Sequence, residues 1–534
     1  RTVASLMQNP DGVMKAWTRY ATDMAAATKA MSARARREEA EGPIAPGRRD
    51  RRFRDPAWDE NPALFGLLQG YLLSGRLGED LLDASDVDSS IEHRMAFLAD
   101  MVMDAVAPTN NPWTNPAVLK RAIDTGGLSM LRGLETFMDD VANNEGMPRQ
   151  INPGTFTVGK DLAVTPGKVV YRNDMMELIQ YAPTTETVYA TPLLMSPPWI
   201  NKYYIMDLAP GRSFVEWAVT HGHTVFAISY RNPDATQGHW TLDDYLLNGP
   251  VTALDVIRDI TGAEKANIVG LCLGGTLTTA LRGYLAAEGQ DRIASTTLLN
   301  TLVDFTRPGR LGAITDRESV ERMERRMRER GYLDASEMMG IFTFMRSNDL
   351  VWNYAINNWL MGDDPQPFDI LAWNADSTRM PAEMHSFYLR SCYLGNELAQ
   401  GKMELAGHRI DPKAIDGDFY VLGAIEDHIA PWEGSYLTTQ ALPNANHRYV
   451  LSAAGHIAGI VNPPGPKAWH RTADTYPAEP AEWFAASEQH AGSWWEDWAE
   501  WISTRAGERV APPSMGSKKH KPQGDAPGEY VLAD

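Results

Sequence analysis

Two rhythms of apolar and polar positions divide the chain. Over residues 1–165 apolar side chains recur at helical spacing without strand alternation, most clearly in 61–77 and 91–107, so a mostly helical N-terminal domain is expected. Within it, 36–54 is charged and broken by proline and glycine, which predicts a linker or exposed arm. From about residue 167 short apolar runs alternate with helical patterns. Residues 168–171 and 177–181 predict a lead-in pair of antiparallel strands. Parallel core strands are expected at 191–195, 224–229, 267–270 and 295–302, with helices over 214–221, 242–260 and 276–287 between them. This predicts a doubly wound, mostly parallel sheet over 166–504. The alternation stops over about 305–397, where a charged helix around 318–330 precedes an aromatic and methionine-rich stretch at 338–361. The alternation resumes at Phe419 and ends before His456. Trp494, Trp498 and Trp501 recur on one helical face, with Trp495 beside them, a stripe better suited to packing than to binding. Residues 505–534, rich in Pro, Gly, Lys and Ser, predict an extended and weakly ordered tail.

One junction in this pattern carries chemistry. The buried run Ala266-Asn267-Ile268-Val269 leads into Gly270-Leu271-Cys272-Leu273-Gly274-Gly275 and then a helix. A strand, a glycine-flanked nucleophile and a helix form a nucleophile elbow, here with cysteine where hydrolases usually carry serine. The turn is tight, so its flanking positions take glycine. It exposes the sulfur and leaves the next backbone N–H, that of Leu273, free to hold an oxyanion. A thiol favours making and passing on a thioester, which points to acyl transfer rather than hydrolysis. The competing reading is that a cysteine at a strand end is simply a small buried hydrophobe.

Two later segments weigh against that competing reading. The strand Asp418–Ala424 ends in Ile425-Glu426-Asp427-His428, and Arg448–Leu451 runs into Gly455-His456-Ile457. Nucleophile, acid and histidine thus occur in the chain order of the α/β-hydrolase fold, the last two on loops beyond late strands. Cys272, His456 and Asp427 are the candidate catalytic triad. A second oxyanion donor is expected from the Pro198-Trp199-Ile200 loop, assigned to the Ile200 backbone. His428 is either a partner behind the triad or an exposed loop histidine. The 305–397 insert stands where this fold carries a helical cap that excludes water, and its aromatics serve either the cap channel or the insert's own core.

Composition narrows the class. Lys plus Arg is 50 and Asp plus Glu is 69, a formal charge of −19, which argues against nucleic acid as a partner. The basic run Arg48-Arg49-Asp50-Arg51-Arg52-Phe53-Arg54, interrupted by an acid, is expected to be a solvated face. Of the two cysteines, Cys392 reads as buried filler, so no disulfide framework is expected and a reducing compartment fits. His221-Gly222-His223 reads as a turn, and no metal or cofactor is expected. No apolar run approaches the ~20 residues of a membrane span. The chain begins with Arg1 rather than methionine, which leaves a preceding segment open.

The motifs together resemble the polyhydroxyalkanoate synthases over nearly the whole length. The resemblance rests on the elbow, on Pro197-Pro198-Trp199-Ile200-Asn201-Lys202-Tyr203-Tyr204, and on Glu426-Asp427-His428-Ile429-Ala430-Pro431-Trp432. Gly455-His456-Ile457-Ala458-Gly459, Asn462-Pro463-Pro464 and Gly492-Ser493-Trp494-Trp495 extend it. It implies a one-subunit enzyme that polymerises (R)-3-hydroxyacyl-CoA, 3-hydroxybutyryl-CoA being the expected substrate, with release of coenzyme A. Leu271 and Leu273 do not separate acyl-length classes. Asp427 is implied to serve elongation, either orienting His456 or helping to activate the 3-hydroxyl. Trp352 and Asn374-Ala375-Asp376 are similar to family insert motifs and are carried as structural or channel candidates. A homodimer at the surface of cytoplasmic polyester granules is implied as well. The rival readings are a cysteine thioesterase or polyester depolymerase of the same fold, and a non-catalytic granule-coating or scaffold protein that uses the tryptophan stripe and the acidic surface.

Overall fold

The computed structural model describes residues 6–47, 50–87 and 89–533. It falls into two compact units, Arg1–Asn152 with Ile341–Pro367, and Pro153–Gly340 with Phe368–Asp534.

The first unit is helical: α1 (Pro10–Ala35), α2 (Pro62–Asp83), α3 (Ser89–Ala105), α4 (Pro116–Asp124) and α5 (Leu128–Asn143). Three of these start at an Asn-Pro pair. Asn9, Asn61 and Asn115 accept from the first-turn amides while the following proline, lacking an N–H, costs no hydrogen bond at that position. Phe53, Trp58 and Leu68 form a small core. The basic run beside it is not a solvated face throughout. Arg52 bridges Asp50 and Asp104 at 2.9 and 3.2 Å, and although burial opposes its charge these carboxylates hold the guanidinium firmly protonated. Arg48 and Arg49 lie outside the described residues.

The 305–397 insert, expected as one cap, is divided between the units. Its 341–367 part packs within the helical unit, where the Trp359 indole donates to Asp140 Oδ2 at 2.8 Å and stacks edge-on against Phe137 at 5.1 Å. Ser347 Oγ donates to Asp104 Oδ2 at 2.6 Å in the same unit, close in sequence to Trp352. The aromatic stretch therefore serves, in this part, a core shared with the N-terminal helices.

The second unit holds an eleven-stranded sheet. Its strands are β1 (Gly167–Arg172), β2 (Met176–Tyr181), β3 (Leu193–Ser196), β4 (Val225–Tyr230), β5 (Ala266–Leu271), β6 (Ile293–Leu299), β7 (Asp416–Ala424), β8 (Asn444–Ser452), β9 (Trp469–Thr472), β10 (Glu488–Ala491) and β11 (Gly524–Asp525). Across the sheet the order is β10-β9-β8-β7-β6-β5-β3-β4-β2-β1-β11. The six strands from β8 to β4 are parallel, and antiparallel strands flank them on both sides. Burial on both faces explains why β3, β4 and β5 read as near-continuous apolar runs. Strand order reverses between β5 and β3, and ligands of such sheets bind beyond the carboxyl ends of strands at that switch. Cys272 directly follows β5 there.

Two further expectations are corrected. The helix predicted over 242–260 breaks into Leu242–Leu246 and Thr252–Thr261, joined by a wide turn that contains Gly249 and Pro250. Pro250 has no amide to donate back along the helix. The tail is held rather than loose: β11 pairs with β1, and buried Glu177 accepts from the Glu529 and Tyr530 amides at 2.9 Å each. A carboxylate buried inside a strand needs such donors, and the tail supplies them. Among the described residues no helix is long and apolar enough to cross a membrane.

Candidate active site

Cys272 is the turn between β5 and the helix Leu273–Ala287, and its backbone stands at φ 51°, ψ −121°. A positive φ at a residue bearing a Cβ costs on the order of 1–3 kcal/mol and persists only where neighbours over-determine it. They do here. The Cys272 amide donates to the Leu299 carbonyl at 2.9 Å. At Gly274 any Cβ would stand 2.3 Å from the Ser196 carbonyl and 2.5 Å from that of Pro197, so the chain leaving β3 lies directly on the first helical turn. Leu273, as the first helical residue, has an N–H without an intrahelical acceptor. Beyond β3 Pro197 and Pro198 carry no N–H, which makes Trp199 and Ile200 the first donors of that loop. The Ile200 carbonyl is anchored by the amide and hydroxyl of Thr378 at 3.2 and 2.5 Å.

His456 opens the short helix His456–Ile460 beyond β8. The indoles of Trp494 and Trp495 donate to the Gly459 and Ile460 carbonyls of that helix at 2.8 and 2.9 Å, so the tryptophan stripe fixes the histidine loop from below. Asp427 lies in the turn after β7. Its Oδ2 stands 2.6 Å from His456 Nδ1, and its Oδ1 accepts from the Ile429 and Ala430 amides at 2.9 Å each. His456 and Asp427 are 5 % and 8 % exposed, and the imidazole also hydrogen-bonds Cys272. Burial alone would push the imidazolium down, but Asp427 and then Cys272 outweigh it and raise the ring to about 10. The structure thus brings Cys272, His456 and Asp427 into one hydrogen-bonded line. His428, half-buried, sits one residue beyond Asp427 in the same turn.

Sequence reasoning missed two tyrosines. Tyr388 and Tyr393 meet edge-on at 5.5 Å and close around Phe305, whose ring lies 5.0 Å from Tyr393. Burial pushes both hydroxyls far above their ordinary range, and Cys272 adds to the rise. They therefore stay neutral near the sulfur. They stand in the insert, where aromatic residues follow no period that marks them out. Asn374-Ala375-Asp376 belongs to the second unit, where Asp376 pairs with Lys202 at 2.8 Å and accepts from the Tyr204 hydroxyl at 3.0 Å. Cys392 is 1 % exposed, and burial pushes its thiol well up. Among the described residues no three His, Cys, Asp or Glu side chains are grouped to hold a metal ion.

A family model described as Poly-beta-hydroxybutyrate polymerase (PhaC) N-terminus matches residues 49–218, and one described as alpha/beta hydrolase fold matches 202–463. The chain is 41% identical over 540 residues to a poly(3-hydroxyalkanoate) polymerase of Methylorubrum extorquens, spanning 99% of this chain and 88% of that one. The chain belongs to the poly(3-hydroxyalkanoate) polymerase family. It is an acyltransferase-type enzyme on an α/β-hydrolase fold. Other polymerases of the family are equally similar: one from Cupriavidus necator is 41% identical over 96% of this chain and 87% of its own. Poly(3-hydroxyalkanoate) polymerase 1 of Ectopseudomonas oleovorans is 41% identical over 91% and 87%.

Proposed function

We propose that the enzyme polymerises (R)-3-hydroxyacyl-CoA, with 3-hydroxybutyryl-CoA as the expected substrate, through an acyl thioester on Cys272. The observation that carries this reading is the hydrogen-bonded line from Asp427 through His456 to Cys272 at a strained elbow. Asp427 favours the charged form of the His456 ring beside the sulfur, and a cationic neighbour is what a nucleophilic cysteine needs. The thiolate attacks the acyl-CoA carbonyl and forms a new C–S bond. The bond to coenzyme A then breaks, and the departing thiolate takes the His456 proton. The Leu273 and Ile200 amides are the proposed oxyanion donors. Neutral His456 next accepts the proton of an incoming 3-hydroxyl as that oxygen attacks the thioester, which forms the ester and returns Cys272 to its thiolate.

Both oxygens of Asp427 are engaged, one by His456 and one by two amides, which favours an orienting role over direct activation of the hydroxyl. His428 is assigned no chemical role in this reading. The steps use no cofactor or metal beyond the thioester substrate. On family membership the reading extends to a growing polyester chain, a homodimer and the surface of cytoplasmic granules.

The test is release of coenzyme A from (R)-3-hydroxybutyryl-CoA, with products separated into polyester and free acid and a Cys272→Ala control. Insoluble polyester that vanishes in the control is the expected result. Free 3-hydroxybutyrate alone would make the protein a thioesterase.

A further inference from the structure

The last residue of β6 and the three that follow it, Leu299-Asn300-Thr301-Leu302, make none of the bonds drawn in the mechanism, yet they touch both of its reacting partners. Asn300 has φ 45°, a left-handed conformation that asparagine tolerates better than most residues. It is wholly buried, and its amide N–H donates to the Leu422 carbonyl of β7 at 2.9 Å. Its side-chain Nδ2 donates to the backbone carbonyl of His456 at 2.5 Å. Thr301, also wholly buried, shares its hydroxyl between the Leu299 carbonyl at 3.1 Å and the Cys272 carbonyl at 3.2 Å. The Leu299 carbonyl itself receives the Cys272 amide, and the Leu302 carbonyl receives Thr276 Oγ1 at 2.8 Å. The methyl and hydroxyl of Thr301 fill the space at Gly275, where a Cβ would stand 2.0 Å from Thr301 Oγ1. Both backbone groups of Cys272 and the carbonyl of His456 are therefore held from one turn.

We infer that Asn300 and Thr301 are positioning residues: from a single rigid turn they register the His456 imidazole against the Cys272 sulfur. The inference rests on the reading that Cys272 and His456 carry the acyl transfer. Cys272 lies 28 residues before Asn300 and His456 lies 156 after it, so neither chain segment sets the other's place by local geometry. A displacement of about 1 Å between reacting groups costs on the order of a hundredfold in rate. Asn300 spans this gap with the one side chain that both accepts a positive φ and presents an amide donor.

The test uses the full chain carrying Asn300→Gly, Thr301→Val or Thr301→Ser. Glycine keeps the backbone conformation and removes the whole side chain, donor included, so Tm is read beside the kinetics. Valine keeps the shape of threonine and removes the hydroxyl, and serine restores it. The readouts are kcat and KM from coenzyme A release with (R)-3-hydroxybutyryl-CoA, the rate of Cys272 alkylation by iodoacetamide at neutral pH, and Tm. Asn300→Gly and Thr301→Val are expected to lower kcat and alkylation together by about 10- to 100-fold while KM changes by less than about threefold. Thr301→Ser is expected to recover most of what Thr301→Val loses. Wild-type kcat and alkylation in both Asn300→Gly and Thr301→Val, or losses that only track the folded fraction, would overturn the inference. If Asn300→Gly does not fold, the Val and Ser pair decides, and equal activity in the two overturns it. Failure of the underlying reading is distinct, since Cys272→Ala would then retain coenzyme A release.

Discussion

Asp427→Asn tests the electrostatics of the site at a single atom pair. Asparagine keeps the shape but has one oxygen for the two acceptor positions that Asp427 fills, so its NH2 must face either His456 Nδ1 or the Ile429 and Ala430 amides, and the change removes the charge together with one acceptor. In the native site Asp427 is the foremost cause raising the His456 ring to about 10 against the cost of burial. A neighbouring opposite charge in hydrogen-bond contact shifts such a group by roughly 1–3 pH units, or about 1.4–4 kcal/mol. Loss of that charge should disfavour the imidazolium by the same amount. The assay is iodoacetamide labelling at pH 7.5. It reports one site, because the other of the two cysteines, Cys392, is buried with its thiol pushed up. From about 10, a loss at the upper end of that range brings the ring to near the assay pH, so the labelling rate and the polymerisation kcat are expected to fall several-fold. Folded Asp427→Asn protein that labels within about twofold of wild type would refute the assignment of the carboxylate as the source of the raised ring.

Three further outcomes follow from the same geometry. Because the folded ring lies above its ordinary value of 6.5, its stabilising contribution is fully present below pH 6.5 and is lost as pH rises through about 10; the Tm gap between wild type and His456→Gln should narrow over that window, and a constant gap would contradict it. Gly274→Ala forces a Cβ against the Ser196 and Pro197 carbonyls, and should cost about 1–3 kcal/mol by denaturant unfolding together with activity, whereas native stability would refute the close packing. Glu177→Ala removes the acceptor of the Glu529 and Tyr530 amides, so hydrogen exchange over 523–533 should rise several-fold, and unchanged protection would show that the tail is held elsewhere.

What the sequence disclosed and what it hid follow from the range of the interactions involved. The elbow was legible because its glycines answer to atoms a few residues away and to one adjacent strand. The strands were legible because burial on both faces leaves near-continuous apolar runs. Pro250 offered a signal for the helix break that the apolar periodicity of 242–260 overrode. The split of the insert was not legible, since Trp359 answers to Asp140 219 positions earlier. The tail has the composition of a loose segment, yet Tyr530 bonds Glu177 across 353 positions. In the site itself, Cys272, Asp427 and His456 stood out by chain order and by their places beyond strands. Asn300, Tyr388 and Tyr393 did not, because a buried amide or an aromatic residue in an irregular insert carries no local pattern.

The most direct test of a cysteine-borne acyl chain is mass spectrometry of the Cys272 peptide after rapid acid quench with (R)-3-hydroxybutyryl-CoA. The account predicts one or more 3-hydroxybutyryl units on Cys272, released by hydroxylamine and absent in Cys272→Ser. Polyester formation with an unmodified Cys272 at every time point, or an acyl group on another residue, would contradict it.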